Sequence, residues 1–247
     1  MRRERGPRSA GGRNSEPVPG QLHPGEEDYL TAIFKAQEGD SPVSTTVLTH
    51  QLEVALSSVS EMLKRLDRKQ LVEYRPYKGV TLTEAGRQKA TRLVRCHRLA
   101  ERFLTDILGL GWEDAHEEAH KLEHVMSPLV EERLSIVLNN PQTCPHGHPM
   151  PDAQGHMVAD MAIPLSRLQA GEQGVVIKIA QETRELLRYL GELRLFPLTP
   201  FVVEAVAPFQ GPYTLAVGDR QLTLGRDVAH MVLVKKIEAD TSDSGSK

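Results

Sequence analysis

Behind Pro24, the residues Tyr29, Leu30, Ile33 and Phe34 recur at helical spacing, with Glu26, Glu27 and Asp28 in the first turn, where acids complement the helix dipole. After the turn signal Ser41-Pro42 a short helix carries Val47, Leu48 and Leu52 inward. Val59, Met62, Leu63 and Leu66 then repeat at i, i+3, i+4 and i+7, the stripe of an amphipathic helix starting near Ser57. Leu71-Val72-Glu73-Tyr74 and Val80-Thr81-Leu82 read as two strands around a loop holding Lys78-Gly79. Helix, turn, helix, hairpin is the order of a winged helix-turn-helix.

Two long helical patterns follow, at about 84–108 and 113–139, split by Gly109 and Gly111. A Pro/Gly/His-rich stretch at about 140–158 reads as a linker. Beyond it the texture changes to short β-type runs: 175–179, 201–206, 213–217 and 231–234, with one short helix at about 182–191. The expected fold is mainly α with a small β domain. It divides into a winged helix-turn-helix at 24–92, a helical domain at 93–150, and a small barrel at 160–238. Residues 1–23, with Arg2, Arg3, Arg5, Arg8 and Arg13 among Gly, Pro and Ser, are expected to form a disordered Arg-rich arm, and the polar tail after Glu238 to fray.

Bulk properties narrow the class. No apolar run is long enough to span a bilayer, and the start has no apolar signal core, so no membrane partner is expected. Two cysteines far apart, Cys96 and Cys144, argue against a disulfide framework and fit a reducing cytoplasm. The net charge of −3 does not point to nucleic acid, but a DNA footprint needs only a local basic face.

The second helix of the helix-turn-helix supplies that face. Its outward positions include Ser57, Ser58, Ser60, Glu61, Lys64, Arg65 and Arg68. Small serines allow close approach to base edges, while Lys64, Arg65, Arg68 and Lys69, with Arg75, Lys78 and Arg87 around the wing, can neutralise phosphates. The hairpin directly behind it favours double-stranded DNA over a merely solvated basic helix.

The run from Trp112 to Met126 carries the most chemistry. At about 100° per residue, His116, His120, Glu123 and His124 share one arc, and the preceding helix offers His97 and Glu101 at i, i+4. Two helices presenting His and Glu inward can build a divalent-metal site. The segment Cys144-x-His146-x-His148 is a weaker metal signal without a fourth ligand and reads as a structural turn.

These residues carry a resemblance. His97-Arg98-Leu99-Ala100-Glu101, then His116, then Glu123-His124-Val125-Met126-Ser127, over a stretch from about 24 to 150 that includes the Cys144-Pro145-His146-Gly147 turn, resembles the diphtheria-toxin-repressor/manganese-repressor family. The resemblance implies a homodimeric transcriptional regulator, a repressor of metal-homeostasis genes, that binds two ions per subunit and grips operator DNA when metallated. It implies Asp28, His120, Glu123 and His124 as the primary site, and His97, Glu101 and His116 as the ancillary one. It also implies that an SH3-like (FeoA-like) C-terminal domain lends Glu182 and Glu185 to the ancillary ion. Iron-type members carry Met and Cys at the positions of Asp28 and His120, and manganese-type members Asp and Glu. Asp28 with His120 matches neither set fully; oxygen and imidazole donors without thiolate point to Mn2+, with Fe2+ the alternative.

The resemblance implies neither catalytic residues nor a small-molecule substrate. An enzymatic alternative exists, since His116-Glu117-Glu118-Ala119-His120 matches the H-E-x-x-H pattern of zinc hydrolases, in which both histidines hold one ion and the Glu is general base. The longer metzincin pattern is not completed, and a protease has no use for the upstream winged helix. A metal-independent DNA-binding scaffold, with the His/Glu helices serving only as a dimer interface, is the third reading.

Overall fold

The computed structural model describes residues 22–37, 41–151 and 161–237. The Arg-rich arm through residue 21, the linker segment 152–160 and the C-terminal tail fall outside these. Helix α1 (Pro24–Ala36) begins where Pro24 fits the first turn, and a capping box closes it: the His23 side chain accepts from the Gly25 N–H, and Glu26 accepts from the His23 N–H. Helix α2 (Thr45–Leu52) is capped by Ser44, and Glu53 ends it in the left-handed region at φ 52°. Helix α3 (Leu56–Arg68) follows, then the antiparallel hairpin β1 (Val72–Arg75) and β2 (Gly79–Leu82). Leu30, Ile33, Leu48, Val59, Leu63, Leu66 and Val80 close one core, so α1 and α3 share their packing. Val47, expected inside, is exposed.

Helix α4 (Glu84–Arg102) runs on into a π-helical turn at Phe103–Ile107. The second long helical pattern is two helices rather than one, α5 (Trp112–Glu123) and α6 (Pro128–Val137). The break has a local cause: Ser127 caps α6 by accepting from the Val130 N–H, and Pro128, which cannot continue an incoming helix, sits at the first turn.

The C-terminal domain is a six-stranded antiparallel sheet in the order β3-β8-β4-β5-β6-β7. Its strands are β3 (Ile163–Pro164), β4 (Gln173–Ile179), β5 (Pro200–Val206), β6 (Tyr213–Val217), β7 (Arg220–Leu224) and β8 (Val232–Ile237). Helices α7 (Arg184–Glu192) and α8 (Arg226–Met231) complete it. The small β domain expected from sequence is present; strands β3 and β7 and helix α8 add to the expected runs.

Trp112, the first residue of α5, lies within the core of this domain. Its indole N–H donates to the Leu187 carbonyl at 3.0 Å, and its ring packs on Phe196 and stacks on His146. Gly147, at φ 90°, lets the preceding loop press onto β4, where a Cβ would lie 1.9 Å from the Ile177 carbonyl oxygen. The Ile179 N–H donates to the His146 carbonyl, and Arg184 pairs with Asp114 and Glu117 of α5.

Candidate metal centres

The first cluster is assembled from α1 and the end of α5. Asp28, His120, Glu123 and His124 each offer one ligand atom, and these four atoms lie within 4.8 Å of one another. His124 Nε2 is 3.2 Å from Asp28 Oδ1 and 3.5 Å from Glu123 Oε1, while His120 Nδ1 is 3.1 Å from Glu123 Oε1. Helical spacing delivers His120 and Glu123 to one face; His124 is the C-cap, still in right-handed helical geometry. Its Nδ1–H donates to Glu27 Oε2 at 2.6 Å, which turns Nε2 towards the other three groups, the arrangement of a carboxylate–histidine–metal relay. The Asp28 and Glu27 carboxylates against its two ring nitrogens lift the His124 imidazole to about 10. Burial opposes the charge of Glu123, but His120 and His97 outweigh it and hold the carboxyl at about 2. The His120 side chain is 56% exposed, so the cluster is open on that side.

The second cluster joins Glu101 of α4, His116 of α5, His146 of the following loop and Glu182, just ahead of α7. Glu101 Oε1 is 2.8 Å from His116 Nδ1 and 3.1 Å from His146 Nδ1; Glu182 Oε1 is 3.4 Å from His146 Nδ1. Glu101 and His146 are completely buried. His146 Nε2 is 3.0 Å from the Trp112 carbonyl and donates there, so Nδ1 is the ring nitrogen that faces the carboxylates. Burial works against the charge on Glu182, and on Glu101, yet the surrounding imidazoles hold both carboxyls well below their usual range. Burial, with the acids beside it, pushes the Cys144 thiol up to about 11.

Both donor sets fit a divalent ion. Each combines two carboxylates with two imidazoles, and each leaves one buried carboxylate oxygen with no hydrogen-bond partner, Asp28 Oδ1 in the first and Glu101 Oε2 in the second.

All four residues expected for the primary site come together. Of those expected for the ancillary site, Glu101, His116 and Glu182 converge. His97 instead lies between the clusters, its Nδ1 2.5 Å from Glu123 Oε2 and its Nε2 3.0 Å from Glu101 Oε1. Burial opposes its charge, but Glu101 and Glu123 lift it to about 9. Glu185, also expected there, is exposed in the first turn of α7 and stands outside the cluster, whereas Glu182, ahead of the Thr183 cap, lies beside His146. His146, read from sequence as part of a structural turn, also faces this cluster. His148 beside it bonds the Ile179 carbonyl and lies 3.4 Å from Glu182 Oε1. The H-E-x-x-H pair is split, with His116 in one cluster and His120 in the other, and Glu117 pairs with Arg184 on the surface.

On the winged helix-turn-helix, Ser57, Ser58, Glu61, Lys64, Arg65, Arg68, Arg75 and Lys78 are exposed, and Ser60 is half-buried. Arg65 and Lys69 also reach back to Glu26 of α1.

Three family descriptions match successive parts of the chain: iron dependent repressor, N-terminal DNA binding domain, at residues 21–80; iron dependent repressor, metal binding and dimerisation domain, at 83–152; and FeoA domain, at 163–236. The iron-dependent repressor IdeR of Mycobacterium tuberculosis is 36% identical over 225 residues, covering 85% of this chain and 96% of the relative. The diphtheria toxin repressor of Corynebacterium diphtheriae is 39% identical over 145 residues, 58% of this chain and 64% of that protein. A solved manganese-dependent transcriptional repressor, in complex with manganese, superposes with a TM-score of 0.78 at 33% identity, covering 86% of this chain and all of that one.

Proposed function

Because the chain belongs to the iron-dependent repressor family of metal-dependent DNA-binding regulators, we propose that it represses metal-ion homeostasis genes, gripping its operator when Mn2+, or alternatively Fe2+, occupies the cluster of Asp28, His120, Glu123 and His124. The observation that carries this reading is the origin of the ligands: Asp28 comes from the DNA-binding domain and the other three from the helical domain, and the buried Oδ1 of Asp28 faces them without a hydrogen bond of its own. Glu101, His116, His146 and Glu182 form the ancillary site.

A bound divalent ion supplies the charge that lets two carboxylates and two imidazoles share one centre. Asp28 then holds α1 against α5, with Glu27 fixing the His124 ring. Since Leu30 and Ile33 of α1 pack in one core with Val59, Leu63 and Leu66 of α3, an anchored α1 holds α3 at a set angle. Exposed Ser57, Ser58, Glu61, Lys64, Arg65 and Arg68, with Ser60, face the major groove, and Arg75 and Lys78 of the wing meet phosphates. A second copy pairs through the apolar surface of α6 and the turn ahead of it, where Val125, Leu129, Val130, Ile136 and Val137 are all exposed. The two α3 helices then enter successive major grooves about one turn apart. Oxygen and imidazole donors favour Mn2+ first and Fe2+ second.

Fluorescence anisotropy of chelator-stripped protein on an operator fragment, titrated separately with Mn2+, Fe2+ and Zn2+ at fixed salt, tests this. Tight binding that requires metal is expected; equal operator affinity with and without every ion defeats the proposal.

A further inference from the structure

Three consecutive acids near the start of α1 reach three different places. Asp28 joins the first cluster, Glu27 accepts from His124, and Glu26 turns to the other side and is buried against α3. Glu26 is only 3% exposed. Both of its carboxylate oxygens accept from Lys69 Nζ, at 2.7 and 2.8 Å, Arg65 Nε lies 3.2 Å away, and the backbone N–H of His23 donates at 3.0 Å. A carboxylate so desolvated is held only by such partners, and both cations stand at the C-terminal end of the recognition helix.

We propose that Glu26 is the positioning residue that passes the state of the first cluster to the recognition helix. The shared apolar core lets α1 and α3 pack, but apolar packing is non-directional. The Glu26 ion pair is directional and ties one turn of α1, the turn that carries Asp28, to the end of α3 that carries Arg65 and Lys69. Whatever fixes Asp28 against α5 thereby fixes those two cations relative to the helical domain. The inference rests on the metal-switch reading above.

The test compares full-length wild type, Glu26→Gln and Lys69→Gln. In Glu26→Gln the side-chain amide keeps an acceptor for the His23 N–H, so the helix cap survives, while the charge facing Lys69 and Arg65 is removed. The readout is the ratio of operator affinity in saturating Mn2+ to that in chelator, which cancels any weakening of phosphate binding common to both states. Glu26→Gln is expected to lower this ratio at least about fivefold, and Mn2+ affinity without DNA is expected to stay within about twofold of wild type. Lys69→Gln, which attacks the same ion pair from the other helix, should lower the ratio likewise, and the double variant should go no further. By reciprocity, the operator's enhancement of Mn2+ affinity falls by the same factor. A wild-type ratio in both single variants overturns the inference, as does a fall fully accounted for by weaker Mn2+ binding in the absence of DNA. A wild-type protein whose ratio is one would defeat the metal-switch reading itself, before any variant is compared. If Glu26→Gln does not fold, Lys69→Gln decides alone.

Discussion

The two clusters use nearly the same ligand chemistry in opposite mechanical settings. The first straddles the DNA-binding and helical domains, with the His120 side chain 56% exposed and its α1 ligand on an element that packs with the recognition helix. The second is the more buried, with Glu101 and His146 fully buried, and three of its four residues come from segments pinned by other contacts. Trp112 inside the C-terminal core, Gly147 against β4 and Arg184 on α5 hold that domain in place around Glu182. A site whose ligands are already held can add stability on loading but has little motion to control, whereas a site that spans a weaker junction gains leverage over the junction itself. His97 touches both, since one imidazole bonds Glu123 on one side and Glu101 on the other.

The largest effect is expected from breaking the scaffold of the second cluster. Trp112→Ala removes a buried aromatic anchor and should weaken the seating of the C-terminal domain by about 3–5 kcal/mol. Calorimetric titration with Mn2+ should then lose the second-cluster isotherm and keep the first; loss of both together would show that the clusters are not mechanically separate. Next comes a pair of ligand removals. Asp28→Ala should reduce operator affinity in Mn2+ by about 10- to 100-fold, towards the metal-free value, measured by anisotropy. Glu182→Ala should instead shift only the Mn2+ midpoint, and equal losses from the two variants would erase the contrast. The smallest effect is on protons. His124 is raised to about 10 in the metal-free protein, so at neutral pH its ring is protonated, and a metal ligand must be neutral. Loading must therefore release a proton, and first-cluster affinity should rise by about tenfold per pH unit below that value for each proton displaced. Calorimetry in buffers of different ionisation enthalpy counts the protons; none released would contradict the ligand assignment.

The parts of this picture readable from sequence are those carried by local periodicity. The apolar stripes of α1 and α3, the hairpin behind them, and the helical arcs of His116, His120, Glu123 and His124 each lie within one short segment. What local pattern does not reach is what tertiary contacts decide. His146 belongs to a loop that reaches Glu101 only because Gly147 lets it press onto β4, and its alternation with Cys144 and His148 is the one local signal of its role. Glu182 and Glu185 look interchangeable until the Thr183 cap places one before the helix and the other on its exposed face. Glu26 and Glu27 fit the helix-dipole pattern so well that nothing local marks their further partners, Lys69 and His124. Strand β7 follows β6 after a two-residue turn, and its alternating Gln, Leu, Thr and Leu are too few to declare a strand alone.

The most direct test of the central claim, that the first cluster anchors α1, is amide hydrogen exchange across Pro24–Ala36 with and without Mn2+, in wild type and in Asp28→Ala. The account predicts that Mn2+ slows exchange in this helix in the wild type, and that Asp28→Ala abolishes the slowing while exchange around Trp112 stays unchanged. Exchange in α1 that is indifferent to Mn2+, in a protein whose operator binding still requires the ion, would contradict it.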